Sequence, residues 1–192
     1  MVREGNIEVQ DHLDIIKKVA DELNAMSINQ HLYSSILELE IKLRKSKPLK
    51  QWYISFLENM RRTIFVYLSI RITALMKEDN NNLTIYSLYK KLHRNTRADH
   101  NLSLSILPHE SEEIRHAYNR IKKVRDKNIA HIDKSFIQQE FLPSDIIKLI
   151  KFLKLAFQEI TINLPIEQAP CMCEDSEIKS QADQFIRHFS RS

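Results

Sequence analysis

Arg125, Asn128 and His131 recur at three-residue intervals, and their types are those that hold an anion or change protonation near neutral pH. They lie in Glu112–Asp133, EEIRHAYNRIKKVRDKNIAHID. On a wheel turning about 100° per residue, Ile114, Ala117, Tyr118, Ile121, Val124 and Ile132 gather on one apolar face. Arg125 falls about 20° from the centre of that face and Asn128 about 40° to its other side. His131 lies at the edge, near Val124 and Ala117, while Lys122, Lys123, Asp126 and Lys127 point outward or sideways. Arginine cannot discard its charge as lysine can, and an unpaired buried guanidinium is very costly. Arg125 must therefore meet a carboxylate, cap backbone carbonyls, or open onto a cleft or interface that holds an anion. An internal ion pair is the plainest of these. A lone histidine here reads as partly buried, but Arg, Asn and His on one side of one helix point toward a site.

The elements that position this segment follow almost without a break. Val9 to Asn24 carries Leu13, Ile16, Val19, Ala20 and Leu23 at helical spacing, and Ser27 is a candidate N-cap for a second helix bearing Ile28, Leu32, Ile36, Leu39 and Leu43. That helix should stop before Pro48, in the basic stretch Lys42 to Lys50. A long helix is expected from Lys50 to Lys77, with Phe56, Met60, Ile64, Tyr67, Leu68 and Leu75 as its stripe and Arg71 inside it. Asp79 to Asn82 ends it, and Thr84 can cap a short helix through Leu92. Asn95 to His109 reads as irregular. Ser111-Glu112-Glu113 opens the key helix with acidic residues where the helix dipole favours them. Pro143-Ser144-Asp145 starts another, ending before Pro165. Ser176 to Phe189 repeats Ile178, Ala182, Phe185 and Phe189, an amphipathic helix able to pack on the bundle or on a partner. The division expected is a bundle over 1–164, a linker over 165–175 and a C-terminal helical appendage over 176–192.

Composition agrees with an all-α chain. The 192 residues contain one glycine, Gly5, and five prolines, too few turn-formers for a sheet protein. Hydrophobic residues make up 43%, sufficient for a core, and 28% charged residues suit a surface in water. The net charge of +4 is compatible with a polyanionic partner. No leader pattern opens the chain, and Thr63 to Met76, interrupted by Arg71, falls short of the roughly 18 residues of a membrane span. Cys171 and Cys173 form a lone C-x-C, and His93, His100, His109 and His116 have no metal-like spacing, so no metal or other cofactor is expected. Reduced thiols and a cytosolic location follow.

R-D-K-N-I-A-H at Arg125–His131 resembles the R-x(4–6)-H motif of HEPN domains, with Asp126 as the polar residue that often follows the arginine. The longer string from Arg125-Asp126-Lys127 through Ala130-His131-Ile132-Asp133 is similar to the RDKxxAHxD form of HEPN proteins of the abortive-infection U type. Leu68-Ser69-Ile70-Arg71, the Asp79–Asn82 loop and Thr84–Leu92 resemble the same family's second helix and following loop. The resemblance covers about Met1 to Leu164. It implies a bundle of four or five helices that dimerises so that two motifs face each other across a groove, which in active members cleaves RNA without metal. On that reading His131 is the acid/base, since an imidazole can take the 2′-OH proton or give one to the leaving 5′-oxygen. Arg125 clamps the phosphate and Asp126 orients the pair or contacts the neighbouring chain. Asn128, Lys127 and Arg71 are weaker candidates for RNA contact. Five residues separate Arg125 from His131, placing them about 120° apart on a regular helix, so a site shared across a dimer suits them better than one within a chain.

Two readings follow from the resemblance: a homodimeric endoribonuclease of a toxin or phage-defence system, and a non-catalytic HEPN module that dimerises or binds a nucleotide or RNA. An antitoxin or a nucleotidyltransferase is the partner class implied for the first. Asp133, however, stands where the tyrosine of a modifiable H-x-Y would be, which argues against that form of control. Arg71 either lines the groove or makes an internal ion pair. Trp52, Tyr53 and Phe56 read as core or interface residues.

Overall fold

The computed structural model describes residues 4–46, 51–77, 84–94, 107, 109–130, 143–162 and 175–190. Every regular element among them is a helix: α1 (Glu4–Ser46), α2 (Gln51–Leu75), α3 (Ile85–Arg94), α4 (Glu112–Ala130), α5 (Pro143–Thr161) and α6 (Asp175–Ser190). The all-α bundle expected from the scarcity of glycine is what forms. None of the described helices is long and apolar enough to cross a membrane.

α1 is the spine. It packs against α2, α3, α5 and α6, while α4 lies against α2 and α5. The expected break at Ser27 does not occur: the helix runs through it for 43 residues, about 65 Å at 1.5 Å per residue. No glycine or proline stands between Gly5 and Pro48 to stop it. Instead of capping a new helix, the polar side chains turn back on their own. Ser27 Oγ donates to the Leu23 carbonyl at 2.9 Å, Asn29 Nδ2 to Ala25 at 2.9 Å and Ser34 Oγ to Gln30 at 3.2 Å.

α2 forms over the expected span with its buried face shifted: Ile64, Leu68 and Leu75 of the expected stripe are buried and Met60 and Tyr67 pack against the core. Leu57, Ile64, Phe65, Leu68, Ser69, Ile72, Thr73 and Leu75 are buried, whereas Phe56 and Arg71 are exposed. The buried face is turned roughly a quarter revolution from the expected stripe. The cause is that two hydroxyl residues point inward. Ser69 Oγ donates to Phe65 O at 2.9 Å and Thr73 Oγ1 to Ser69 O at 2.7 Å, so neither needs water. Trp52 is also exposed, in an edge-on contact with the half-buried Tyr53, so neither Trp52 nor Phe56 belongs to the core.

The start of α3 is capped as the sequence indicates. Thr84 and Ser87 bond reciprocally, Ser87 N to Thr84 Oγ1 at 3.1 Å and Thr84 N to Ser87 Oγ at 3.2 Å, which opens α3. α5 buries Ile146, Leu149, Ile150, Phe152, Leu153, Ala156, Phe157 and Ile160. α6 packs on α1 with Ile178 and Ala182 buried. The expected 165–175 linker lies almost wholly outside the described residues.

Candidate functional site

α4 begins where the acidic tripeptide indicated. Ser111 Oγ accepts from the Ile114 amide at 3.3 Å, and Glu112 and Glu113 occupy the first turn. Immediately before it, His109 adopts φ 63°, a left-handed conformation that histidine tolerates better than most residues. That turn brings Glu110 inward as a hub. Its carboxylate accepts from Tyr86 Oη at 3.0 Å, Leu107 N at 3.0 Å and Arg115 Nε at 3.1 Å, joining α3 and the loop to α4. Ile114, Ala117, Ile121 and Val124 are buried and Lys122, Lys123 and Asp126 exposed, so α4 sits in the register read from its periodicity.

Three arginines on α4 each meet a carboxylate, and the three pairs differ in kind. Arg115 meets Glu110, whose side chain is only 4% exposed. Arg120 clasps Asp145 at the start of α5 through Nε and Nη2, at 2.7 and 2.8 Å, with Asp145 3% exposed. The hydrogen-bonded carboxylate outweighs partial burial and holds the Arg120 guanidinium above its ordinary pKa, so it stays charged. Both pairs join separate parts of the fold. Arg125 instead reaches its own neighbour. Its Nε and Nη2 both donate to Asp126 Oδ1, at 2.8 and 2.5 Å, while Arg125 is 26% exposed and Asp126 55%. This pair joins no two elements, and its carboxylate is the one most open to solvent. An incoming phosphate could replace it without dismantling the bundle.

The other candidates are placed unevenly. Arg71 lies at the surface, not within the apolar stripe, with Nη1 3.4 Å from Glu22 Oε1 of α1 and its guanidinium 5.5 Å from the Tyr67 ring centroid. This surface ion pair ties α2 to α1. The backbone of Lys127 and Asn128 continues α4, but their side chains, and the whole of His131, lie outside the described residues. Among the described residues no three His, Cys, Asp or Glu side chains converge as a metal site.

Sequence reasoning missed Glu110, the Arg120–Asp145 clasp and a third network. In that network Glu40, 7% exposed, holds Arg44 on its own helix and Arg61 of α2, whose guanidinium lies 6.0 Å from the Tyr33 ring centroid. The acidic start of α5 was the only hint for Asp145, and helix-dipole preference accounted for it without a partner.

A family model described as HEPN_AbiU2 matches residues 10–165, most of the chain. No curated protein and no solved structure matches it.

Proposed function

The chain belongs to the AbiU2-type HEPN family, and on that footing we propose that it is a metal-independent endoribonuclease of a toxin or abortive-infection system. It acts in the cytosol as a two-fold dimer, with Arg125 and His131 of both chains lining one groove. A two-fold axis presents the same patch twice, so residues about 120° apart on one helix can meet their counterparts across it. In the reaction the 2′-oxygen attacks phosphorus and the bond to the 5′-oxygen breaks. His131 takes the 2′-OH proton or supplies one to the leaving oxygen, and Arg125 binds the phosphate oxygens as charge builds on them. Asp126 holds Arg125 in place before substrate arrives.

The observation that supports this reading is the contrast among the α4 arginines. Arg115 and Arg120, both more exposed than Arg125, are committed to buried carboxylates, while Arg125 is held by an exposed one that, among the described residues, links no second element. A guanidinium kept this way is available to an anion.

The test is incubation of purified protein with varied single-stranded RNAs in EDTA. The expected products end in a 2′,3′-cyclic phosphate and a 5′-hydroxyl, and light scattering should give a dimer at micromolar concentration. Intact RNAs throughout would replace this reading with the non-catalytic binding module, and a monomer would remove the shared groove.

A further inference from the structure

We propose that the outward face of α4 is a track for the backbone of an RNA strand, with Lys122 and Lys123 as its main phosphate contacts and Asn119 at its centre. It rests on the endoribonuclease reading and adds a second region of contact, reaching from Arg125 back toward the start of the helix.

Charge is the first ground. α4 carries Arg115, Arg120, Lys122, Lys123, Arg125 and Lys127 against Glu112, Glu113 and Asp126, an excess of three positive charges on 19 residues, where the whole chain has +4. Arg115, Arg120 and Arg125 are engaged by Glu110, Asp145 and Asp126, and Glu113 by Lys148 of α5, so the exposed positive charge of the face rests on Lys122 and Lys123. Orientation is the second. With Ile114, Ala117, Ile121 and Val124 turned inward, Arg115, His116, Asn119, Lys122 and Lys123 are all exposed. Among the described residues neither Lys122 nor Lys123 takes part in an ion pair, unlike the arginines beside them.

Shape is the third ground. Three open recesses adjoin along this face, and Asn119 borders all of them. One is walled by Arg120, Lys122 and Lys123 with Asp126 at its rim, the next by Arg115 and His116 beside Glu110 and Glu112, and the third runs from Lys122 past Glu110 toward Lys77 and Tyr86, so the basic stretch of the face is the one around Lys122 and Lys123. None is an enclosed cavity of the kind that holds a small ligand. Arg115 and the Lys122–Lys123 pair stand about two helical turns apart, roughly 11 Å along the axis, and from Arg115 to Lys123 the track spans about 12 Å. A repeating anion laid along the helix can match that interval; a single phosphate cannot use it.

The test uses His131→Ala protein as the parent, so that bound RNA stays whole, and compares it with the same protein carrying Lys122→Ala and Lys123→Ala. Binding of a fluorescent 12-nucleotide RNA is followed by anisotropy across a salt series, with helicity checked by circular dichroism. Each phosphate contact on a single strand contributes about 0.7 to the slope of log K against log salt, so losing two should flatten it by about 1.4. Lys122→Arg with Lys123→Arg should restore the parent's slope. An unchanged slope in the alanine variant overturns the track, and so does a parent that binds no RNA but binds anionic vesicles through the same lysines. The two readings can fail separately. Wild type that leaves RNA intact while the slope still falls removes cleavage and keeps the track. Wild type that cuts RNA while the alanine variant binds undiminished removes the track and keeps cleavage.

Discussion

Replacing His131 with alanine should lower RNA cleavage by about 10²–10⁴-fold, the usual contribution of a positioned proton-transfer group. The core face of α4, made by Ile114, Ala117, Ile121 and Val124, is untouched by this change, so helicity and the dimer should survive. Arg125→Lys should fail to cut as well. A lysine keeps the positive charge but loses the planar fork that grips two phosphate oxygens at once. The structure adds a control. Among the described residues Arg125 bonds only to the adjacent Asp126, so its replacement should leave the melting temperature near that of wild type. Gel assays on matched RNA, read beside thermal melts, separate loss of chemistry from loss of fold. Cleavage by His131→Ala at the wild-type rate would end the catalytic reading.

Arg120→Ala should behave in the opposite way, costing stability. It strands the Asp145 carboxylate, 3% exposed, without the two hydrogen bonds that now hold it. Breaking a fully buried pair costs about 3–5 kcal/mol. Arg120 is itself 44% exposed, so solvent screens part of the interaction and about 2 kcal/mol is the better expectation. For a chain of this size that lowers the melting temperature by roughly 4–8 °C. Arg120→Lys should lose less, because a charge remains. Adding Asp145→Leu to Arg120→Ala should recover much of the loss, since the stranded carboxylate is then gone. Denaturant unfolding of the four proteins reads these differences. An Arg120→Ala variant as stable as wild type would show that the clasp does not hold α4 to α5.

Comparing the helices shows what the sequence makes legible. α4 was readable to the residue because its apolar positions are Ile, Val and Ala and its outward ones are mostly charged. α2 was read in the right place and the wrong rotation, since a hydroxyl that bonds its own helix counts as polar in a pattern and as apolar in a core. The same ambiguity at Ser27 suggested a cap where α1 continues. The motif Arg125–His131 could be found because its residues are close in sequence. Arg120 and Asp145 stand 25 residues apart, and only the packing of α4 on α5 brings them together. Arg71 was read as lying inside the apolar stripe for the same reason that α2 was misrotated, and it stands at the surface.

Ser69 and Thr73, buried on α2, set how near its neighbours can come. Their hydroxyls satisfy carbonyls of their own helix and, among the described residues, bind nothing across the gap, so volume, not polarity, is what those two positions contribute. The separation of packed helix axes, usually 8–10 Å, follows the size of the side chains between them. Alanine at either position should leave the spacing almost unchanged, whereas leucine should wedge the helices apart at about 1–3 kcal/mol. Because α2 also supports α4, such a wedge would shift the platform carrying Arg125 without altering any residue near it.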